Sequence, residues 1–184
     1  NPMAEAKLIH KYHKFFPVLY PEHTGKYFTE IVNDGIRGFF AETSIEQHEL
    51  EGYLLARLSY DPSVGYRELI DEYFELYYGA AGAAMKEVYD TLERIGYNPD
   101  SYRPQVMAKD FPGSYIYGIH NEIDNWHLGT PARMKLVRNL LDKALALAAT
   151  PLEKARVEDF IGRVWKQAEE GRVDFEKRDS IRKV

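Results

Sequence analysis

Two glutamates, Glu42 and Glu46, are the residues whose type and spacing come closest to a catalytic pattern. Glycoside hydrolases use two carboxyl groups about 5 to 10 Å apart, and these two side chains are candidates for such an acid–base pair. Glu42 also directly follows a short apolar run that we predict to be a strand, and α/β folds place their sites beyond the carboxyl ends of strands. The alternative is structural: both residues are then charges favoured by the dipole at a helix N-terminus.

Three aromatic residues lie outside the helical stripes of the sequence, namely Tyr115, Tyr117 and Trp126. A flat ring with a polar tip offers a sugar both apolar area and a hydrogen-bonding group. We therefore name Tyr117 and Trp126, together with Glu42 and Glu46, as candidate substrate-binding residues. The alternative for each ring is packing in a core or at an interface.

Histidines give a weaker pattern. His10 and His13 are one helical turn apart, but no third ligand stands at a recognisable spacing. A second polar group lies in a long connection and consists of His120, Glu122, Asp124 and His127. This group could ligate a metal or line a polar groove, but capping and loop hydrogen bonds are the better explanation. We predict neither a metal nor a cofactor, and the absence of cysteine excludes disulfides and thiolate sites.

Composition restricts the partners. The formal net charge is −5, and no basic stripe precedes Gly171, which argues against a nucleic-acid surface. No apolar run approaches the roughly 20 residues needed to span a bilayer. The chain opens with Asn-Pro and charged residues, so it resembles no signal peptide, and it has no initiator Met. We expect a processed, trimmed or excised chain, and an exported or periplasmic location stays open.

The run before Glu42 spans residues 36–41, is apolar apart from Arg37 and Gly38, and is bounded by turn signals, as in a strand buried on both faces. Gly35 ends a helix predicted over residues 24–34. Ser44 begins the next helix, and Gln47 completes its capping box. Helix, strand, helix is one step of an α/β sheet or barrel. Because one strand cannot form a sheet, the pattern predicts a part of a larger α/β protein.

The rest of the chain is predicted to be helical. Helices are expected over residues 44–60, 66–78 and 80–95, with Gly79 and Gly96 as stops. Two closing helices begin at Thr130-Pro131 and Thr150-Pro151, each a cap followed by proline, and should pair as a hairpin. Residues 97–129 form a long connection between these groups. The predicted division is therefore an α/β part over residues 1–60 and a helical region over 61–184.

Four stretches of the chain resemble a large, mostly uncharacterised bacterial family of carbohydrate-active proteins near the α-glucuronidase and β-hexosaminidase-like glycoside hydrolases. The stretches are DGIRGFFAETS, ELEGYLLARLSYDPS, LIDEYFELYYGAAGAAMKEVYDTLE and WHLGTPARMKLVRNLLDKALALAATPLEKARVEDFIGRVW. The resemblance implies a fold that is mainly α with a small α/β portion: the last step or steps of a (β/α)8-type barrel followed by a C-terminal helical bundle. It also implies that the main catalytic carboxylates lie upstream, and that Glu42 contacts sugar hydroxyls.

The expected function is thus that of the C-terminal portion of a glycoside hydrolase acting on oligo- or polysaccharide, inactive as a separate segment. Its partners are then a carbohydrate, bound through the parent protein, and the remaining barrel or another polypeptide. The alternative is a non-catalytic helical interaction module, in which Phe39 and Phe40 lie at an exposed or partner-covered surface. A third hypothesis, a metal-dependent helical enzyme, requires His10 and His13 to face other ligands.

Overall fold

A computed structural model describes residues 14–40, 47–107 and 122–182. All regular structure in these ranges is helical, so the predicted mainly helical class is confirmed. The helices are α1 (Pro21–Asn33), α2 (Glu49–Tyr60), α3 (Tyr66–Tyr78), α4 (Gly82–Tyr97), α5 (Pro104–Met107), α6 (Glu122–Leu128), α7 (Pro131–Leu147), α8 (Pro151–Phe160) and α9 (Lys166–Arg182). Short 3-10 turns at Gly79–Ala81 and Pro99–Ser101 flank α4.

One apolar core holds the helices together. Helix α1 packs on α2 and α3, α4 packs between α3 and α7, and α8 contacts both α3 and α7. Buried residues on both sides of residue 60 belong to a single cluster, from Phe16 and Leu19 to Trp165 and Ala168. The division at residue 60 into an α/β part and a helical region stays a prediction.

The two predicted cap-plus-proline starts are confirmed. Thr130 Oγ1 accepts a hydrogen bond from the backbone N–H of Arg133 at 3.4 Å, at the start of α7. Thr150 Oγ1 accepts from Glu153 N–H at 3.2 Å, at the start of α8. The Glu153 carboxylate returns to the chain before the helix and accepts from Ala149 N–H at 2.7 Å. Side-chain caps therefore set the first turns of both helices, as the sequence predicted.

Helix α8 continues into α9 through a π-helical turn at Ile161–Trp165. The sequence pattern predicts one regular helix here, because the apolar spacing does not reveal the extra residue. Val164 and Trp165 of the turn are buried, and Trp165 donates through Nε1 to Glu169 at 2.9 Å. A π turn shifts the register of the side chains that follow it, so the same helical run contacts different neighbours before and after residue 165.

The prediction that Gly96 ends a helix is wrong, because α4 continues to Tyr97. Gly96 is buried, and a Cβ added to it would collide with the Val18 side chain. Its carbonyl accepts a hydrogen bond from Tyr102 Oη at 2.6 Å. This glycine therefore serves the close approach of the segment before α1, a role that depends on a partner far away in the sequence.

Residues 36–40 form no strand in the described structure, although a strand was predicted here. Ala41, the last residue of the predicted strand, lies outside the described residues. Instead of being buried on both faces, Phe39 is 46% exposed and Phe40 is 86% exposed. The physical reason is that a strand needs a hydrogen-bonded neighbour, and the described ranges contain no second strand.

Gly79 ends α3 as predicted, with a φ of +54° that disfavours every residue with a Cβ. The Glu153 carboxylate also occupies the place where that Cβ would lie. We expect Gly79→Ala to lower the free energy of unfolding by about 1 to 3 kcal/mol, measured by urea denaturation.

Gly52, inside α2, is the matched control, since a Cβ there meets nothing within 4 Å. Gly52→Ala should raise the free energy of unfolding by about 0.5 to 1 kcal/mol, because alanine favours helix. Equal effects of the two substitutions would contradict the account of Gly79.

Candidate functional site

Of the four candidate substrate-binding residues, only Trp126 lies in the described part of the chain. Glu42, Glu46 and Tyr117 lie outside it, and so do His10 and His13. Their predicted roles stay predictions. The described residues contain no group of three or more His, Cys, Asp or Glu side chains that could hold a metal ion.

Trp126 is buried in α6, with 2% of its surface exposed. Its ring lies 6.1 Å from that of Phe175, and its Nε1 has no hydrogen-bond partner. The neighbouring Asn125 fixes α6 to the segment before α1, since its amide accepts from Phe16 N–H at 2.7 Å and donates to Phe16 O at 3.0 Å. This burial favours core packing, the alternative to a sugar platform.

The chain leaves α1 toward Glu42 through a well-defined turn. Gly35 has a φ of +84°, which lets the helix end there as predicted. Gly35 N–H donates to Val32 O at 3.0 Å, and Ile36 N–H donates to Ile31 O at 3.1 Å. These two bonds are those of a Schellman motif, which turns the chain sharply at the end of a helix. The direction of residues 36–40 is therefore set by α1.

An apolar groove of about 370 Å³ lies between this segment and the helices. The Phe39 ring meets that of Phe28 edge to face, with centroids 5.2 Å apart. The apolar residues that line the groove are Phe28, Ile31, Val32, Ile36, Phe39, Leu58 and Pro62. Phe40 directly follows Phe39 in the sequence and is 86% exposed. We call the segment 35–40 and this groove the apolar surface.

Clustered exposure of large apolar side chains is uncommon on a folded protein and marks an interaction site. Ile36 and Phe39 are each 46% exposed, and Phe40 still more so. The apolar surface also lies directly before Glu42 in the chain. It is therefore the candidate functional site of the described structure.

Arg163 anchors the start of α2, the helix that follows Glu42 and Glu46 in the chain. It lies in the π turn and donates to Glu49, the first residue of α2, at 3.0 Å. It also donates through Nε to Asp159 at 2.6 Å. Sequence reasoning missed this residue, because a bond across 114 positions leaves no local signal. The segment with both candidate glutamates thus runs between two anchored helix ends.

Helices α2 and α3 carry a group of tyrosines, which lie on the helical stripes predicted from the sequence. The rings of Tyr73 and Tyr77 stack with centroids 5.2 Å apart, and Arg156 covers Tyr77 at 4.3 Å. Tyr53 Oη donates to Glu72 at 2.6 Å. Burial raises the pKa of Tyr73, whose hydroxyl has no hydrogen-bond partner. These contacts among α2, α3 and α8 support the packing of the fold.

None of the helices in the described ranges is long and apolar enough to cross a bilayer. Comparison with known proteins adds one finding. Residues 7–90 match the family described as a domain of unknown function, DUF4838. This match covers α1, α2, α3 and the apolar surface, and less than half of the chain. No curated protein and no solved structure matches the chain.

Phe40 and Leu58 allow a direct test of the apolar surface. Leu58 lines the groove and is 1% exposed, so Leu58→Ala should cost about 2 to 5 kcal/mol of unfolding free energy. Phe40→Ser should change that energy by less than about 0.5 kcal/mol, because the ring is in solvent. Denaturant unfolding of both variants measures this. A large loss in Phe40→Ser would mean that the ring is part of the core.

Proposed function

We propose that this chain is the helical C-terminal portion of a glycoside hydrolase-like protein acting on oligo- or polysaccharide. In this proposal, residues 35–40 serve as a strand of a (β/α)8-type barrel whose other strands come from outside these 184 residues. The observation that supports it is the apolar surface: a non-helical segment with exposed apolar side chains lies between α1 and α2. The similarity of the sequence to carbohydrate-active proteins supplies the substrate class.

The segment has the properties that a barrel strand needs. Strands of parallel sheets are buried on both faces and read as nearly continuous apolar runs, as this segment does. Helices precede and follow it in the order of a barrel step. Addition of neighbouring strands would pair its backbone groups and cover Phe39 and Phe40. The exposed state is then the one that lacks these neighbours.

Glu42 follows this strand at its carboxyl end, where barrels place their sites. We propose that its carboxylate binds sugar hydroxyls, with Glu46 and Tyr117 as further contacts. Trp126 is a poorer candidate than these, since it is buried in α6. The main catalytic carboxylates are proposed to lie upstream, so the 184-residue segment alone should not hydrolyse glycosides.

The native size of the polypeptide tests the barrel. Mass spectrometry of the undigested protein from its source should give a mass far above 21.3 kDa, because the remaining strands then belong to the same chain. A mass equal to that of this chain would overturn the proposal that the barrel belongs to one polypeptide with it.

Substitution of Glu42 tests the site in the native-length protein. Glu42→Gln should weaken oligosaccharide binding about 10- to 100-fold, because a hydrogen bond to a charged group contributes about 1.5 to 3 kcal/mol. Binding is measured by titration calorimetry against the oligosaccharide that a substrate screen selects. Glu75→Gln, at an exposed position of α3, is the control and should bind as the parent does. Equal affinity of Glu42→Gln and the parent would contradict a sugar contact.

The alternative function is a non-catalytic interaction module, and the same exposed residues favour it. In that case Phe39 and Phe40 meet a separate polypeptide, and Glu42 has no role in sugar binding. Two substitutions distinguish the proposals. If the alternative holds, Phe40→Ser abolishes capture of the partner, and Glu42→Gln leaves both partner capture and sugar binding unchanged.

A further inference from the structure

The N-terminus of α1 is held by two carboxylates that come from two other helices. Glu51 of α2 accepts from the backbone N–H of Tyr20 at 2.7 Å. Glu93 of α4 accepts from the N–H groups of Glu22 and His23, at 3.1 and 2.8 Å. Free N–H groups at the start of a helix are usually capped by a nearby side chain, but Tyr20 makes no such bond. Distant carboxylates replace the cap.

The charges around this helix end are unbalanced. Glu22, Glu51 and Glu93 bring three carboxylates to it, and the dipole of α1 contributes only about half a positive charge. Arg67 pairs with Glu22 at 3.3 Å, but its side chain is 73% exposed. His48 Nδ1 lies 3.4 Å from Glu51 Oε1. These contacts leave Glu93 without a cationic partner in the described structure.

Glu51 is the most buried of the three, at 2% exposure. One of its oxygens accepts the Tyr20 N–H, while the other is buried and has no hydrogen-bond partner. An ionised carboxylate in such a place is costly unless every lone pair is satisfied. The negative charge of Glu51 is therefore poorly compensated, and it disfavours a second negative charge on Glu93.

The surroundings of Glu93 act in the same direction. Burial, together with the negative charges of Glu22 and Glu51, raises the pKa of its carboxyl to about 7, although the backbone donors of His23 and Glu22 work against this. Tyr66 of α3 faces it as well, and its own pKa is raised, chiefly by burial. On α3, the positive charge of Arg67 is paired with Glu22, so it does not serve as a partner of Glu93.

We propose that Glu93, beside the buried Glu51, forms a proton-controlled clamp on the N-terminus of α1, which is tight while the Glu93 carboxyl holds a proton and loosens when that proton leaves. Hydration of the ionised Glu93 is easiest if the first turn of α1 moves away from it. Helix α1 sets the direction of residues 36–40, so the clamp couples pH to the presentation of the apolar surface. That last link rests on the function proposed above, while the clamp itself does not.

The sign of the effect follows from proton linkage. Glu93 keeps its proton in the folded state to about pH 7, whereas an unfolded glutamate loses it near its ordinary value of 4.5. The folded state therefore binds more protons in this interval, and its stability falls as the pH rises through it. The contribution is fully present below about pH 4.5 and is lost above about pH 7.

Hydrogen exchange of the intact chain tests the clamp. Protection of the amides of α1, corrected for the intrinsic rate, is measured from about pH 5.5 to 8.5 in the parent, in Glu93→Gln and in Glu75→Gln as the control. Protection should fall several-fold as the pH rises through about 7 in the parent and the control. It should stay constant in Glu93→Gln, whose amide is neutral at every pH. Constant protection in the parent would overturn the proposal.

Carbon-13 NMR of the Glu93 carboxyl in the parent protein keeps the test independent of how the variants fold. Its titration midpoint should lie near 7, and Glu51→Gln should lower it by removing a neighbouring negative charge. A midpoint below about 5 would overturn the clamp, and an unchanged midpoint in Glu51→Gln would overturn the pairing. Neither the hydrogen exchange of α1 nor the titration of Glu93 depends on the native mass of the polypeptide or on sugar binding. A failure of the clamp can therefore be distinguished from a failure of the proposed function.

Discussion

Burial of the apolar face of α4 is the interaction on which the rest of the structure depends. Met85, Val88 and Leu92 are fully buried along this face, and each contributes about 1.5 to 3 kcal/mol by leaving water. The helix lies between α3 and α7, and glycines allow close approach at both of its ends. A Cβ at Gly82 would collide with the carbonyl of Phe74, as one at Gly96 would with Val18. Other elements take their positions from this helix.

Helix α1 shows how that position reaches the candidate site. It packs on α2 and α3, and its N-terminus is fixed by Glu93 of α4 and Glu51 of α2. Its C-terminus turns through Gly35 and directs residues 36–40 across the groove. The exposure of Phe39 and Phe40 is thus the outcome of two fixed helix ends. It is no sign of a poorly packed segment, since the Phe39 ring meets Phe28.

Polar contacts between distant residues complete the frame. Arg156 caps the carbonyl end of α3 through Leu76 O at 3.3 Å and Tyr77 O at 2.5 Å. Arg163 ties the start of α2 to the π turn. Each bond joins helices that the core already brings together, so it chiefly fixes their register. In the sequence, Glu42 and Glu46 lie between two helices held in this way.

Local signals in the sequence determined the helices and many of their ends. Tyr66–Tyr78 was predicted to the residue, Thr130 and Thr150 act as caps, and Gly35 and Gly79 adopt the positive φ that makes them stops. These outcomes depend on neighbours within about four residues, where propensity and capping act.

Only the tertiary structure decided what depends on partners far away in the chain. Gly96 lies within a helix because Val18 passes close to it, and Glu93 caps a helix some 70 positions before it. Trp126 is buried against Phe175 of α9, and the apolar spacing within α6 does not predict this contact. The run before Glu42 has the apolar pattern of a strand, yet pattern alone cannot provide the neighbour that a strand must bond to. A sheet requires several strands, and the described residues include one segment with the pattern of a strand.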